Sequence, residues 1–132
     1  MERSSYTTTD PWTYGDPETI GADVSRLDLT GFSVEATDGG IGKIDEATYA
    51  TSASYIVVDT GPWIFGKKVL LPAGIVQRVD LDAQTVFVNR MKDDIKGAPE
   101  FDEANYRDET YRTRVGEYYS GRLTNDRIGD HI

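Results

Sequence analysis

Residues 54–72 read SYIVVDTGPWIFGKKVLLP, and this stretch restricts the fold more than any other part of the chain. Two apolar runs, YIVV at 55–58 and VLL at 69–71, flank a connector broken by Gly61, Pro62 and Gly66. A helix needs a longer periodic stretch without such breakers, so the two runs read as short, neighbouring, buried strands. The connector gathers Trp63, Ile64 and Phe65 at the point where the chain reverses.

Further strand signals lie on both sides. Within residues 29–35, Phe32 and Val34 alternate with Ser33 and Glu35, the period of a half-buried strand. Thr37-Asp38-Gly39-Gly40 follows, and Asp-Gly and Gly-Gly supply the positive φ that a tight hairpin requires. The returning strand spans residues 41–49, with Ile44, Ala47 and Tyr49 inward. The three-residue step from Ile44 to Ala47 breaks strict alternation and predicts a bulge at Asp45-Glu46. Residues 75–80 make a weaker fifth strand, 81–84 a turn, and 85–89 a sixth strand with Val86 and Val88 facing the core. Six short strands at near-regular spacing predict a mainly all-β domain, a small curled six-stranded sheet or barrel.

The period then changes. Residues 92–96 form a short helical turn, stopped by Gly97 and by Pro99 beyond it. From Asp108, a plausible N-cap, Tyr111, Val115, Tyr118, Tyr119 and Leu123 fall on one face of an amphipathic C-terminal helix. Asp108 and Arg112 have the favourable acid-then-base spacing. Gly116 in its middle costs about 1 kcal/mol against Ala, so the helix needs a surface to lie on. At the other end, residues 1–24 read as an irregular arm rich in Thr, Ser, Pro and Asp. Its Tyr6, Trp12 and Tyr14 are expected to pack onto the domain or a partner, since an exposed large ring forgoes ~2 kcal/mol of burial. The chain thus divides into an arm (1–24), a β domain (25–101) and a helical tail (102–132).

Composition removes several function classes. At 132 residues the chain suits one domain that buries roughly two-thirds of its unfolded surface without a disulfide or metal staple. The absence of Cys excludes disulfides, zinc-thiolate sites and thiol chemistry. The one histidine, His131, is penultimate, a position poorly suited to catalysis or metal binding. A formal charge of -9 repels phosphate backbones and favours solubility. The first residues lack the apolar core of a secretory signal, and no apolar run approaches a bilayer span, so the expected location is the cytoplasm.

The glycines, a proline and the apolar runs together carry a resemblance. Gly31-Phe32-Ser33-Val34, Asp38-Gly39-Gly40-Ile41-Gly42-Lys43, the run at 55–58 and Lys68-Val69-Leu70-Leu71-Pro72 resemble the PRC-barrel family over about residues 29–101. That family is named from the cytoplasmic part of the photosynthetic reaction centre H subunit, and similar barrels form the C-terminal half of the ribosome maturation factor RimM. The resemblance implies a six-stranded barrel that works as an adaptor docking on proteins. It carries over no catalytic or ligand-binding residue. The membrane helix of the H subunit has no counterpart in this sequence, and residues 1–28 are too short for a separate RNA-processing domain.

The remaining motifs read structurally. Gly61 to Lys67 nearly spells a phosphate-cradling loop, but Lys68 stands where the magnesium-holding hydroxyl belongs. Bulky residues fill the loop, and a strand follows where a helix should begin. The glycine cluster at 38–43 is a hairpin. The acid clusters at Asp80 and Asp82, at Asp93 and Asp94, and at Glu100, Asp102 and Glu103 lack the spacing of a calcium loop. Ser and Thr are plentiful, but no internal histidine is present to activate one. No cofactor, metal or catalytic residue is expected, and the chain reads as a non-enzyme. Two protein-contact elements remain: Trp63, Ile64 and Phe65, and the tail residues Tyr111, Arg112, Val115, Tyr118 and Tyr119. Tyr and Arg dominate interface hot spots because they bury area at low entropy cost and keep a polar handle. The expected function is a self-associating adaptor for a protein partner. The alternative is a small-barrel binder of single-stranded RNA, stacking bases on the same tyrosines.

Overall fold

The computed structural model describes residues 11–49, 54–61 and 67–131, with the side chains of residue 25 and of residues 121–131 left aside. Six strands form one mixed sheet: β1 (Ser33–Ala36), β2 (Gly39–Ala47), β3 (Tyr55–Asp59), β4 (Lys68–Pro72), β5 (Val76–Asp80) and β6 (Thr85–Val88). Their spatial order is β4-β3-β2-β1-β6-β5. The expectation of a mainly-β domain built on a six-stranded sheet therefore holds. Among the described residues the hydrogen-bonded ladder does not close, and β4 and β5 remain edges. Every neighbouring pair is antiparallel except β1 and β6, which run parallel with Val34 opposite Val86. A parallel pair needs a long crossover, and here strands β2 to β5 make up that crossover.

The hairpin between β1 and β2 turns at Thr37 and Asp38, as the glycine pair foretold. Gly42 in β2 has φ +150°, and a Cβ there would overlap the backbone carbonyl of Asp59 on β3. Only glycine allows the two backbones that approach. The predicted bulge is present, because the β2–β3 register shifts between Ile44 and Glu46. Ile44 is buried, while Ala47 and Tyr49 pack against the core from its edge. The fifth strand starts one residue late, because Ala73–Ile75 forms a 3-10 turn ahead of it.

Three α-helices lie among the described residues. The arm, read above as irregular, contains α1 (Pro17–Ile20), which opens on Pro17 and closes on Gly21 at φ 97° with its N–H bonded to the Pro17 carbonyl. Proline at the start and a left-handed glycine after the end is the signature that reading overlooked. Buried Ile20 seats α1 on β5. The second helix, α2, spans Lys92–Lys96 as expected, and α3 spans Glu109–His131. Asp108 caps α3, its carboxylate accepting the Thr110 N–H at 3.3 Å. No helix among the described residues is long and apolar enough to cross a membrane.

One apolar cluster draws on every strand and on Ile20, Ile95, Tyr111, Val115 and Tyr119. Tyr55, Ile56, Val57 and Val58 are all buried, so β3 is covered on both faces. Alternation along the strand puts Tyr55 and Val57 on the side where Tyr106 packs, and Ile56 and Val58 on the other.

Candidate interaction surface

Three of the tail residues expected to meet a partner turn inward. Tyr111, Val115 and Tyr119 are 4%, 1% and 1% exposed, one apolar face of α3 laid on the chain's own core. The correction has a simple cause. Burying each such side chain is worth about 1.5–3 kcal/mol, and the adjoining sheet face is the nearest apolar surface. Tyr118 is half-buried and donates its hydroxyl to the Asp94 carbonyl of α2 at 2.5 Å. Arg90 donates to the Tyr119 carbonyl at 3.2 Å and so holds the same turn from the other side. Arg112 is half-buried, and its Nε has no partner among the described atoms. Trp63, Ile64 and Phe65 lie outside the described residues.

The arm reaches α3 as well. Trp12 and Tyr14 pack against the core, as expected of them, while Tyr6 lies outside the described residues. Ser54 N–H donates to the Trp12 carbonyl at 2.8 Å and Gly74 N–H to the Pro11 carbonyl at 2.7 Å, fixing this part of the arm across the ends of β3 and β4. The indole then lies against Gly116 of α3.

Ahead of α3, a polar node joins the tail to the sheet. Glu46, at the β2 bulge, accepts the Tyr106 hydroxyl at 2.6 Å and the Tyr55 hydroxyl at 3.3 Å. Arg107 pairs with the same carboxylate at 3.2 Å. The bulge re-aims Glu46 off the ladder toward the tail, the usual effect of an extra residue in one strand. Sequence reasoning had the bulge but not its purpose, since nothing local links Glu46 to residues 60 positions on.

The outer layer of this region consists of arginines on tyrosines. The Arg107 guanidinium carbon lies 4.5 Å from the Tyr106 ring centroid, and that of Arg114 lies 5.8 Å from the Tyr111 centroid. Both arginines are exposed and both rings are buried beneath them. Burial, reinforced by the hydrogen bond to Glu46, pushes the Tyr106 hydroxyl up to about 12. Burial first, and nearby Asp102 to a lesser degree, pushes Tyr111 up to about 12 as well. Tyr14 and Tyr119 are raised further, again chiefly by burial. All four rings are therefore neutral at physiological pH and serve as donors or packing groups, with no role as bases. Among the described residues no group of three His, Asp or Glu is placed to hold a metal ion.

No protein-family model matches the chain. No curated protein matches it either. Among solved structures it is similar to one described as a 16S ribosomal RNA processing protein, RimM, from Pseudomonas aeruginosa. The two share 23% identity over 54% of this chain and 49% of that one, at a TM-score of 0.42. This chain thus spans about half the length of the structure it matches.

Proposed function

We propose that the chain is a PRC-barrel-like, non-enzymatic adaptor of the cytoplasm that self-associates and docks on a protein partner. The observation that carries this reading is the outer layer of Arg107 and Arg114, each placed over the ring of a buried tyrosine. A guanidinium held over a ring by cation–π attraction has less rotamer entropy left to lose when a partner covers it. Arg107 is oriented further by Glu46. The motif residues at 31–34, 38–43, 55–58 and 68–72 support the PRC-barrel part of the reading, together with six short strands in one sheet. On its sequence alone, Trp63-Ile64-Phe65 enters the proposal as a second, apolar contact element.

Single-stranded RNA binding is the weaker reading. It needs open ring faces for bases to stack on, whereas Tyr119 is buried and Tyr118 is tied to Asp94. A formal charge of -9 opposes it further.

Sedimentation of the full chain, alone and as the Arg107→Ala/Arg114→Ala double variant, tests the reading. Truncating two hot-spot arginines is expected to weaken association by about tenfold or more. A wild-type chain that stays monomeric at high concentration and binds no protein of its own cell would end it.

A further inference from the structure

The chain spells one pattern twice. Pro11-Trp12-Thr13-Tyr14-Gly15 and Pro62-Trp63-Ile64-Phe65-Gly66 match as Pro, Trp, a β-branched residue, an aromatic ring and Gly, and they hold both tryptophans. The first stretch occupies a defined seat. The carbonyls of Pro11 and Trp12 accept the Gly74 and Ser54 N–H groups. The Trp12 indole lies against Gly116, and the Tyr14 ring stacks on Tyr49 with centroids 5.9 Å apart. Two of these contacts come from main-chain carbonyls, and the other two from rings that the second stretch also carries.

The two stretches differ where the seat fits its occupant poorly. The Tyr14 hydroxyl is buried and has no hydrogen-bond partner. A buried hydroxyl left unpaired is costly, whereas a phenyl ring in the same place leaves nothing unpaired. Phe65 stands at that position of the second stretch, while Ile64 keeps the β-branch of Thr13 and gives up its hydroxyl. Losing the Tyr14 penalty favours the second stretch by about tenfold or more.

Geometry keeps that stretch from the seat of its own chain. It is joined to Gly61 and Lys67, and the bond from the Thr60 N–H to the Lys67 carbonyl holds its ends together. The seat is at the opposite end of the β3–β4 hairpin, where Tyr55 pairs with Pro72, whereas Asp59 pairs with Lys68 at the near end. The strand from Ser54 to Gly61 covers roughly 20 Å. A loop of residues 62–66 with adjoining ends reaches about 10 Å at most.

Resting on the self-association proposed above, we infer that residues 62–66 of one copy displace residues 11–15 from the seat of a second copy. Trp63 of the first lies against Gly116 of the second, and Phe65 stacks on Tyr49. The Pro62 and Trp63 carbonyls take the Gly74 and Ser54 N–H groups. The arm is the resident competitor. Tethered beside its own seat, it acts at about millimolar effective concentration, so exchange is expected from about 0.1 mM chain upward.

The full chain is titrated with a synthetic peptide of its residues 60–67 and followed by NMR. Saturable amide shifts are expected at Tyr49, Ser54, Gly74 and Gly116, with the Trp12 indole resonance moving to that of an exposed indole. The same peptide carrying Phe65→Tyr is expected to bind about tenfold more weakly. Equal binding of the two peptides, or shifts confined to other residues, would overturn the inference. Sedimentation of the full chain then reads the second copy. Tyr14→Phe relieves the arm of its unpaired hydroxyl, and Phe65→Tyr burdens the displacing stretch with one. Each is expected to weaken association about tenfold. Association unchanged in both variants would overturn the inference, and if the arginine double variant still weakens it, self-association itself stands. A wild-type chain that stays monomeric at about 1 mM would end both readings.

Discussion

Gly116 lies against Trp12: a Cβ at that helical position would sit 2.9 Å from the indole Nε1. The glycine that weakens α3 as an isolated helix is the one that lets the arm dock on it. The main chain at Trp12 is held in place there, because its carbonyl accepts the Ser54 N–H at the start of β3.

That contact predicts a reversal of sign. Gly116→Ala is expected to destabilise the protein by about 1–3 kcal/mol through overpacking, despite the better helix propensity of Ala. In a Trp12→Ala background the same change is expected to stabilise by about 0.5–1 kcal/mol, since only the propensity term is left. Chemical denaturation of the four proteins, followed by far-ultraviolet circular dichroism, closes the cycle. Equal effects in both backgrounds would mean that the two residues do not touch.

A second glycine pair separates conformation from close approach. Gly42→Ala would drive a methyl into the Asp59 carbonyl at a φ of +150°, whereas a Cβ at Gly40 meets nothing within 4 Å. The first change is expected to cost more than about 3 kcal/mol, or to prevent folding altogether. Gly40→Ala is expected to stay within about 1 kcal/mol of wild type. Thermal unfolding of the two single variants checks this.

The Glu46 node makes a third prediction. Tyr106→Phe removes a 2.6 Å bond to a carboxylate and is expected to cost about 1.5–3 kcal/mol. Glu46→Gln keeps the shape but loses the charge that orients both Tyr106 and Arg107. The two changes are expected to be non-additive by about 1 kcal/mol, as for groups in one network. Strict additivity in urea unfolding would show that the node does not act as a unit.

The tyrosines set an alkaline limit on stability. For Tyr106 and Tyr111 the folded state raises the hydroxyl from its ordinary value of 10.0 to about 12. A group held neutral by the fold contributes stability that is fully present below its unfolded value and is lost as pH rises through the folded one. Stability is therefore expected to be flat up to about pH 10 and to fall between about pH 10 and pH 12. Tyrosinate absorbance from these rings is expected to rise together with loss of the circular dichroism signal. Ionisation of all eight tyrosines near pH 10 with the fold intact would contradict their burial.

Much of the β domain was legible without coordinates, and for local reasons. Phe32 and Val34 alternate with polar neighbours, Asp38 and the glycines after it mark the turn, and Lys92–Lys96 ends at Gly97. Each of these signals sits within a few residues of the feature it predicts. The helical turn at Pro17–Ile20 was equally local, and only its short length hid it. The contact surface was legible in composition but not in orientation. Tyr and Arg recur through residues 106–122, and nothing in that spacing says that Tyr106 and Tyr111 are buried while Arg107 and Arg114 lie exposed above them.

The sequence by itself determined the six strands, the bulge at Glu46 and the apolar stripe of α3, because period, turn residues and β-branching act over short separations. Tertiary structure alone decided three relationships. It set β1 beside β6 in parallel with about fifty residues between them, aimed Glu46 at Tyr106, and pressed Trp12 onto Gly116. Pairings at that distance leave no periodic trace, since they depend on which buried surfaces meet once the chain has collapsed, and loop closure favours no particular partner beforehand.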